Sequence, residues 1–564
     1  MKCLKLLTLT VLALFGQLNL RAQTVPVGIP VIEEYYRRSQ LLSEVDTNLS
    51  LTVRPIFPDL TSESVNPLRS GQTTLPYRFL GNKQIWQSDD HKMQLDLLPV
   101  SVLTQFNTHH PYGWNDGPMI PAKGFQTFIT GGLFAKYGIL TVQFKPELVF
   151  AANPAFETFN DNQYPVIAAR YYDIYNNIDL PVRFGSQPYT TLYPGQSSIR
   201  LNYKAFSFGI STENLWWGPG IRNSLVMSNT APGFPHFTLN TLKPAKTAIG
   251  SFEGQLIGGW LSTSGFAPLV PDRFYFGTNL YVPKPNKSRY LSGIVLTWQP
   301  KWVPGLFLGV NQTQQSYTDN VVGIKDYLPW FLPFKNAGGT NEPISKKDRL
   351  STAFMRWLWT KEHAEFYFEF GYHNSNPAIA QSFLATNVSR GYTFGLRKMV
   401  PFNKLRNENI LIGLEVTQLQ ENSIDNLKNG IQWYVSKGIR QGYTNNGQLL
   451  GAGIGPGANM QSLSVSWVKG LNSLGFTIER YIHNNDFVYY AFNDSKDYSR
   501  HWVDIGGGLT GSWTYKSIVF NAKAWAINSI DYQWYVKGNH NDIFFENGVN
   551  AYNFQLQLGA TYRF

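Results

Sequence analysis

The C-terminal segment YNFQLQLGATYRF constrains the fold more than any other part of the chain. Successive side chains of an extended strand point to opposite faces. Tyr552, Phe554, Leu556, Leu558, Ala560, Tyr562 and Phe564 therefore share one face, and Asn553, Gln555, Gln557, Gly559, Thr561 and Arg563 share the other. A hydrocarbon row edged by aromatic rings and backed by a wholly polar row is the pattern of a strand standing between lipid and a polar barrel interior. Tyr562 and the final Phe564 also resemble the C-terminal signal by which barrel-insertion machinery recognises its clients.

The same repeat recurs. AEFYFEFGYH sets Phe366, Phe368, Phe370 and Tyr372 against Glu365, Tyr367, Glu369 and His373, and NILIGLEVTQ sets Ile410, Ile412, Leu414 and Val416 against Gly413, Glu415 and Thr417. Further strand-like runs begin near Met93, Gln126, Ile139, Ser198, Phe206, Phe252, Arg273, Leu291, Leu306, Leu350, Gly391, Gln461, Leu474, Trp502 and Ile518, for about 18 strands, the size of a large single-chain barrel. Closing the sheet removes its edges and pairs every backbone group, as lipid requires. The expected fold is all-β: a transmembrane antiparallel β-barrel of about 18 strands with a short N-terminal periplasmic helix and long, partly inward-folded loops.

Composition leaves a large soluble β protein or a membrane barrel, and the C-terminal pattern decides for the barrel. Aromatic and charged residues each make up 15% of the chain, mean hydropathy is -0.23, and no stretch after the N-terminus holds the roughly 18 apolar residues of a spanning helix. The N-terminus itself, MKCLKLLTLTVLALFGQLNLRAQ, reads as a secretory signal over residues 1–22, with the mature chain starting at Gln23. Its removal takes away Lys2, Lys5 and Arg21, leaving +8 of the formal +11, and takes away Cys3, the only cysteine. Disulfides and cysteine-ligated metals are thereby excluded from the mature chain. Its basic charge is scattered rather than clustered, which argues against nucleic acid and for a surface facing anionic lipid or sugar.

Residues 23–90 form an N-terminal periplasmic helix and arm in this reading, and residues 91–564 form the barrel. The helix is expected over Val31–Val45, with Ile32, Tyr35, Tyr36 and Leu42 tending to one side and Glu33, Glu34, Arg37 and Arg38 supplying short-range opposite-charge pairs. It sits in the periplasm, plugs the lower end of the barrel, or is simply a tethered arm. Short turns at Gly470-Leu471-Asn472 and Lys361-Glu362-His363 contrast with long stretches at 154–190, 218–251, 319–348, 484–499 and 530–551. That asymmetry fits periplasmic turns and external loops.

One segment follows neither period. ENLWWGPGIRNSLVMSNTAPGFPHF, residues 213–237, must leave its strand through tight turns at Gly218-Pro219-Gly220 and Pro232-Gly233-Phe234-Pro235. If extended, Trp216 and Trp217 point to opposite faces, one to the lipid interface and one to the lumen. Tryptophan faces stack on sugar rings, and Glu213, Asn214, Arg222 and Asn223 offer hydrogen bonds to hydroxyls or carboxylates; alternatively the pair only anchors the barrel in the interfacial belt. This segment, with Lys243-Pro244 and the run Phe252–Gly259 after it, resembles the signature of the capsule-assembly Wzi family. Trp216, Trp217, Gly218, Pro219, Gly220, Ser224, Leu225, Ser228, Asn229, Phe234 and Pro235 carry the resemblance. It implies an 18-stranded outer-membrane barrel with a helical element toward the periplasm, and a lectin-like role in holding capsular polysaccharide at the cell surface.

The expected partners are capsular or other surface polysaccharide, outer-membrane lipids and export or secretion machinery proteins, with no cofactor. The alternative is a porin-like channel or an accessory barrel of an export machine. Acid, base and nucleophile groupings are sparse. His109-His110, Asp89-Asp90-His91 and His483 near Asp486 lack a matching serine context, and Asn493-x-Ser495-x-Asp497 lacks the glycine and distal glutamate of a calcium loop. No catalytic or metal site is expected. Glu365, Glu369 and Glu415 are expected to pair with lumen arginines such as Arg397 and Arg563.

Overall fold

The computed structural model describes residues 23–28, 30–57, 82–159, 163–327, 346–373, 389–421, 430, 432–493, 500–535 and 549–564. The signal segment and the Ser495 and Asp497 positions lie outside them. Among the described residues, 18 antiparallel staves close into a barrel. In chain order they are β1 (Met93–Asn107), β2 (Gly124–Tyr137), β3 (Leu140–Phe144 and Glu147–Ala151), β4 (Tyr189–Tyr193 and Ser198–Tyr203), β5 (Phe206–Ser211) and β6 (His236–Thr241 and Ala245–Thr247). Then come β7 (Gly250–Leu261), β8 (Arg289–Pro300), β9 (Leu306–Tyr317), β10 (Asp348–Trp359), β11 (Ala364–His373) and β12 (Ser389–Asn403). The last six are β13 (Glu408–Gln418), β14 (Asn459–Lys469), β15 (Asn472–Ile482), β16 (Val503–Tyr515), β17 (Ile518–Ile530) and β18 (Ala551–Tyr562).

The C-terminal segment closes the cylinder: β18 pairs with β1 from Gln555 opposite Asn107 to Tyr562 opposite Val100. Three staves are interrupted, and each break holds a proline, Pro146, Pro194 or Pro244, which cannot donate to a ladder. Two strand positions differ from expectation. The run near Arg273 is a small hairpin, Phe274–Tyr275 with Thr278–Asn279, inside the β7–β8 connection. Stave β6 lies inside the expected 218–251 loop, where HFTLNT alternates over too short a length, between Pro235 and Pro244, to stand out. A further strand, Lys83–Gln87, pairs with the first half of β1, so sheet pairing begins within the 23–90 segment.

The alternation sorts as the sequence implies. Leu558 is 50% exposed and Phe554 44%, whereas Gln555 between them is 1% exposed. The outer wall is hydrocarbon and the polar rows face inward. Connections such as 138–139, 204–205, 470–471 and 516–517 are short at one end, while 108–123, 152–188, 212–235 and 419–458 are long at the other. The lumen is filled by protein. Helix α1 (Pro30–Leu41) and the residues after it enter from the short-turn end, segment 212–235 crosses the middle, and residues 432–458 pack above it with α2 (Pro165–Tyr175) and α3 (Asn485–Ala491).

Helix α1 is shorter than the expected Val31–Val45. It stops because Ser43 takes a left-handed conformation at φ 57° and Glu44 N–H bonds back to Ser39 O at 2.9 Å, a capping turn that ends the helix. Its charges also do not pair with one another as expected. Arg37 Nε bonds Glu365 Oε1 at 2.8 Å on β11, Glu34 pairs with Arg397 on β12, and Glu33 pairs with Arg54. Arg38 donates to Gly470 O and His363 Nδ1 to Leu41 O. These contacts with the wall and the short turns seat α1 as a plug in the lower end rather than as a loose arm.

Candidate functional site

After β5 the chain turns into the lumen. Trp216 and Trp217 form a two-residue antiparallel ribbon with Arg54 and Val53, and Trp217 N–H donates to Met227 O at 3.2 Å. Gly218 holds φ 115°, and a β-carbon there would stand 2.8 Å from the Glu369 carboxylate. At Gly220 one would stand 1.9 Å from Asn223 O. Only glycine allows so tight a turn. The turn aims the N–H groups of Ile221, Arg222 and Asn223 at the Glu415 carboxylate, at 2.7–3.1 Å. Leu225 N–H reaches Glu369 Oε2 at 3.3 Å. This is an anion-binding nest of successive amides whose anion is a side chain of the opposite wall.

The other signature residues fasten the same segment. Glu213, fully buried, accepts from Arg200 Nη2 at 2.6 Å and Ser211 Oγ at 2.7 Å, and from the Thr24 hydroxyl. Asn214 Nδ2 donates to Asn229 Oδ1 at 2.7 Å and to Ala231 O at 2.8 Å. Asn229 Nδ2 donates to Asn115 O at 2.9 Å, and Ser228 N–H donates to Leu450 O at 2.7 Å. Arg222 pairs with Glu479 and lies over the Trp114 ring. Trp217 Nε1 donates to Gln255 Oε1 at 2.9 Å, and Arg54 covers the Trp216 ring 4.4 Å from its centroid.

The lipid-and-lumen split expected for the tryptophans is therefore corrected. Both indoles are buried inside the barrel, Trp217 completely, because the ribbon they form runs within the lumen, with protein on both of its faces. Interfacial anchoring is overturned, and so is the picture of Trp217 as an open stacking platform. Burying about 150–250 Å² per indole at ~25 cal/mol/Å² is worth roughly 4–6 kcal/mol, against about 1 kcal/mol for a typical net hydrogen bond. The indoles hold the ribbon, and the hydrogen bonds set its register. Trp216 still edges an internal cavity of about 410 Å³ shared with Arg54, Arg222, Arg397 and Lys523.

The lumen ion pairs also differ in part from expectation. Arg397 Nη1 does meet Glu365, at 3.2 Å, beside Arg356 and Arg37. Glu369 and Glu415 instead receive the signature's backbone together with the hydroxyls of Thr352 and Tyr367. Arg563 stands at the short-turn end beside Val31 and Leu471.

A second cavity, of about 320 Å³, lies at the long-loop end and is lined by Trp114, Tyr171, Tyr175, His483, Asn484, Trp502 and Trp534. The His483 ring lies flat on Trp502, with centroids 3.6 Å apart, and its Nε2 bonds Asp504 Oδ2 at 2.6 Å. Trp502 Nε1 donates to Asp504 Oδ1 at 3.0 Å. The expected neighbour of His483, Asp486, instead accepts from Glu421 N–H at 2.9 Å. His110 is not a solvated loop residue: it is buried beside Tyr532, and desolvation lowers its pKa to about 4. Asp89, Asp90 and His91 form an exposed turn at the opposite end. The residues of this cavity come from several separate connections, so no single motif announces it; the aromatic richness of those loops and the histidines are its only local signal.

The sequence profile of the family described as "Capsule assembly protein Wzi" matches residues 148–518. The chain belongs to this Wzi family. The solved structure of Wzi from Escherichia coli, described as an outer membrane protein involved in group 1 capsule assembly and a carbohydrate-binding β-barrel, is 12% identical. It aligns over 96% of this chain and 100% of its own with a TM-score of 0.61. OccAB2 of Acinetobacter baumannii is 9% identical over 83% of this chain and 98% of its own, with a TM-score of 0.40. Comparison with the curated proteins finds no match. As a Wzi-family barrel with an apolar outer wall, the chain is a protein of the Gram-negative outer membrane. The signature residues lie together in its lumen.

Proposed function

We propose that this Wzi-family barrel binds capsular or other exopolysaccharide at the outer face of the outer membrane and retains it there without chemical change. The observation that carries this reading is the filled lumen. α1, segment 212–235 and residues 432–458 occlude it in succession, which leaves the long-loop face as the working surface. The E. coli Wzi barrel, with the same fold, is a carbohydrate-binding protein of capsule assembly. Glu213, Asn214, Trp216, Trp217, Gly218, Pro219, Gly220, Arg222, Asn223, Ser228 and Asn229 serve in this reading as the scaffold that closes the lumen and supports the loops. Residues 1–22 are removed on export, 23–90 enter the barrel from the periplasm, and 91–564 form the wall. Tyr562 and Phe564 act as the insertion signal, outer-membrane lipids surround the wall, and export or secretion proteins deliver the polymer.

Deleting the gene and assaying polymer in the spent medium tests retention: shed polysaccharide is the expected result, and unchanged capsule staining with a clean medium overturns it. The packed lumen also predicts electrical silence in planar bilayers, whereas large stable openings would return the porin-like reading.

A further inference from the structure

Resting on the polysaccharide reading above, we propose that the cavity of about 320 Å³ at the long-loop end is a subsite for one uncharged pyranose unit of the polymer. Its volume stands at the lower end of the ~300–1,000 Å³ of small-molecule sites, room for one sugar ring and not for a chain. Aromatic walls come from independent elements: Tyr171 on α2, Trp114 after β1, Trp502 before β16 and Trp534 after β17. Flat rings of this kind present large rigid contact area to the C–H face of a pyranose at low entropic cost.

Two of the tryptophans that line this space carry unsatisfied indole donors. Trp114 Nε1 and Trp534 Nε1 are buried and have no hydrogen-bond partner among the described residues, and Trp534 is only 6% exposed. A buried donor without a partner costs about 1–3 kcal/mol and calls for an explanation. As the rings stand, both nitrogens are shut off from the open volume; a turn of either ring toward the cavity would offer its N–H to a sugar hydroxyl and remove that cost. Asn484, also in the lining, accepts from Phe487 N–H through its Oδ1 and adds its amide NH2 as a donor.

The charge of the lining selects against acidic sugars. Among the described residues no lysine or arginine lines this cavity, in contrast to the 410 Å³ cavity below it. His483 is engaged by Asp504, and His110 is neutral at pH 7 because burial lowers it to about 4. Asp116, the one carboxylate of the lining among the described residues, would repel another. A uronate entering here would lose its hydration without gaining a counter-charge, which is strongly unfavourable.

The test uses the full mature chain in detergent and oligosaccharides released from the host bacterium's own surface polysaccharide, split by anion exchange into neutral and acidic fractions. Titration calorimetry is expected to show binding of neutral fragments, a loss of about tenfold or more in Tyr171→Ala, and a several-fold loss in Trp534→Phe, which keeps a ring and removes only the N–H. Both variants should keep the wild-type unfolding temperature within a few degrees. Binding confined to the acidic fraction, or unchanged affinity in both variants, overturns the subsite. If intact polymer binds wild type while no fragment does, the subsite fails and the retention reading stands. If intact polymer does not bind at all, both fail.

Discussion

Trp217 and Trp114 lie inside the same barrel and do different jobs. Trp217 is completely buried, its Nε1 is bonded to Gln255, and the turn that follows it is held by Glu369 and Glu415. Trp114 stands nearer the long loops, edges an open volume, and its Nε1 finds no acceptor among the described residues. Trp216 is intermediate: Arg54 covers its ring, yet its Nε1 also lacks a partner beside the 410 Å³ cavity. Where the chain satisfies its own polar atoms, an aromatic residue builds the scaffold. Where it leaves them unsatisfied next to free volume, the same residue type is available to a ligand.

The contrast can be broken most severely at Glu415. Glu415→Ala strips the acceptor from the buried amide of Asn223 and the half-buried amides of Ile221 and Arg222, at up to about 1–3 kcal/mol each. The expected outcome is ion conductance in planar bilayers together with proteolysis at Arg222 under native conditions. A silent, protease-resistant variant would show that the turn holds itself. Next, Trp217→Ala should cost about 3–5 kcal/mol through the cavity it opens, read as a lower unfolding temperature in detergent. Trp114→Ala at the rim should cost clearly less, and an equal loss would erase the distinction.

Smaller effects sharpen the two ends. Arg37→Met removes one charged hydrogen bond to Glu365, which keeps Arg356 and Arg397, so about 2 kcal/mol of α1 docking should be lost. The mature chain has no cysteine of its own if Gln23 is its first residue, so thiol labelling at Ser39→Cys, faster in the Arg37→Met background, measures the loosening. At the rim, His110 has a folded pKa of about 4, below the ~6.5 of an unperturbed histidine. The unfolded state therefore binds the proton first. The contribution of neutral His110 is complete above about pH 6.5 and is lost as pH falls from there toward 4, at about 1 kcal/mol per pH unit. Hydrogen exchange in the 108–123 connection should rise over that window, and His110→Gln should flatten the dependence.

Much of the wall was legible in the sequence. The faces of β11, β13 and β18 follow from alternation, and the C-terminal aromatic row lies outward as read. Stave β6 was hidden because two prolines shorten its alternation, and the hairpin near Arg273 imitates a stave because two adjacent residues carry no measurable period. The start of α1 was readable from its composition. Its end was not, since Ser43 takes the left-handed cap position usually given to glycine. The Gly-Pro-Gly step announced a tight turn, but nothing local said that the turn wraps a glutamate from across the lumen.

The division has a physical basis. Which side of each strand meets hydrocarbon was determined by the sequence alone, because side chains alternate with a period of two and lipid accepts only one of the two rows. Which partner each inward group finds was decided by the tertiary structure. Barrel closure brings Glu415 to the amide of Asn223, 192 residues away, and α1 to Glu365 on β11; no local pattern encodes contacts set by strand register and by how a segment folds back through the lumen.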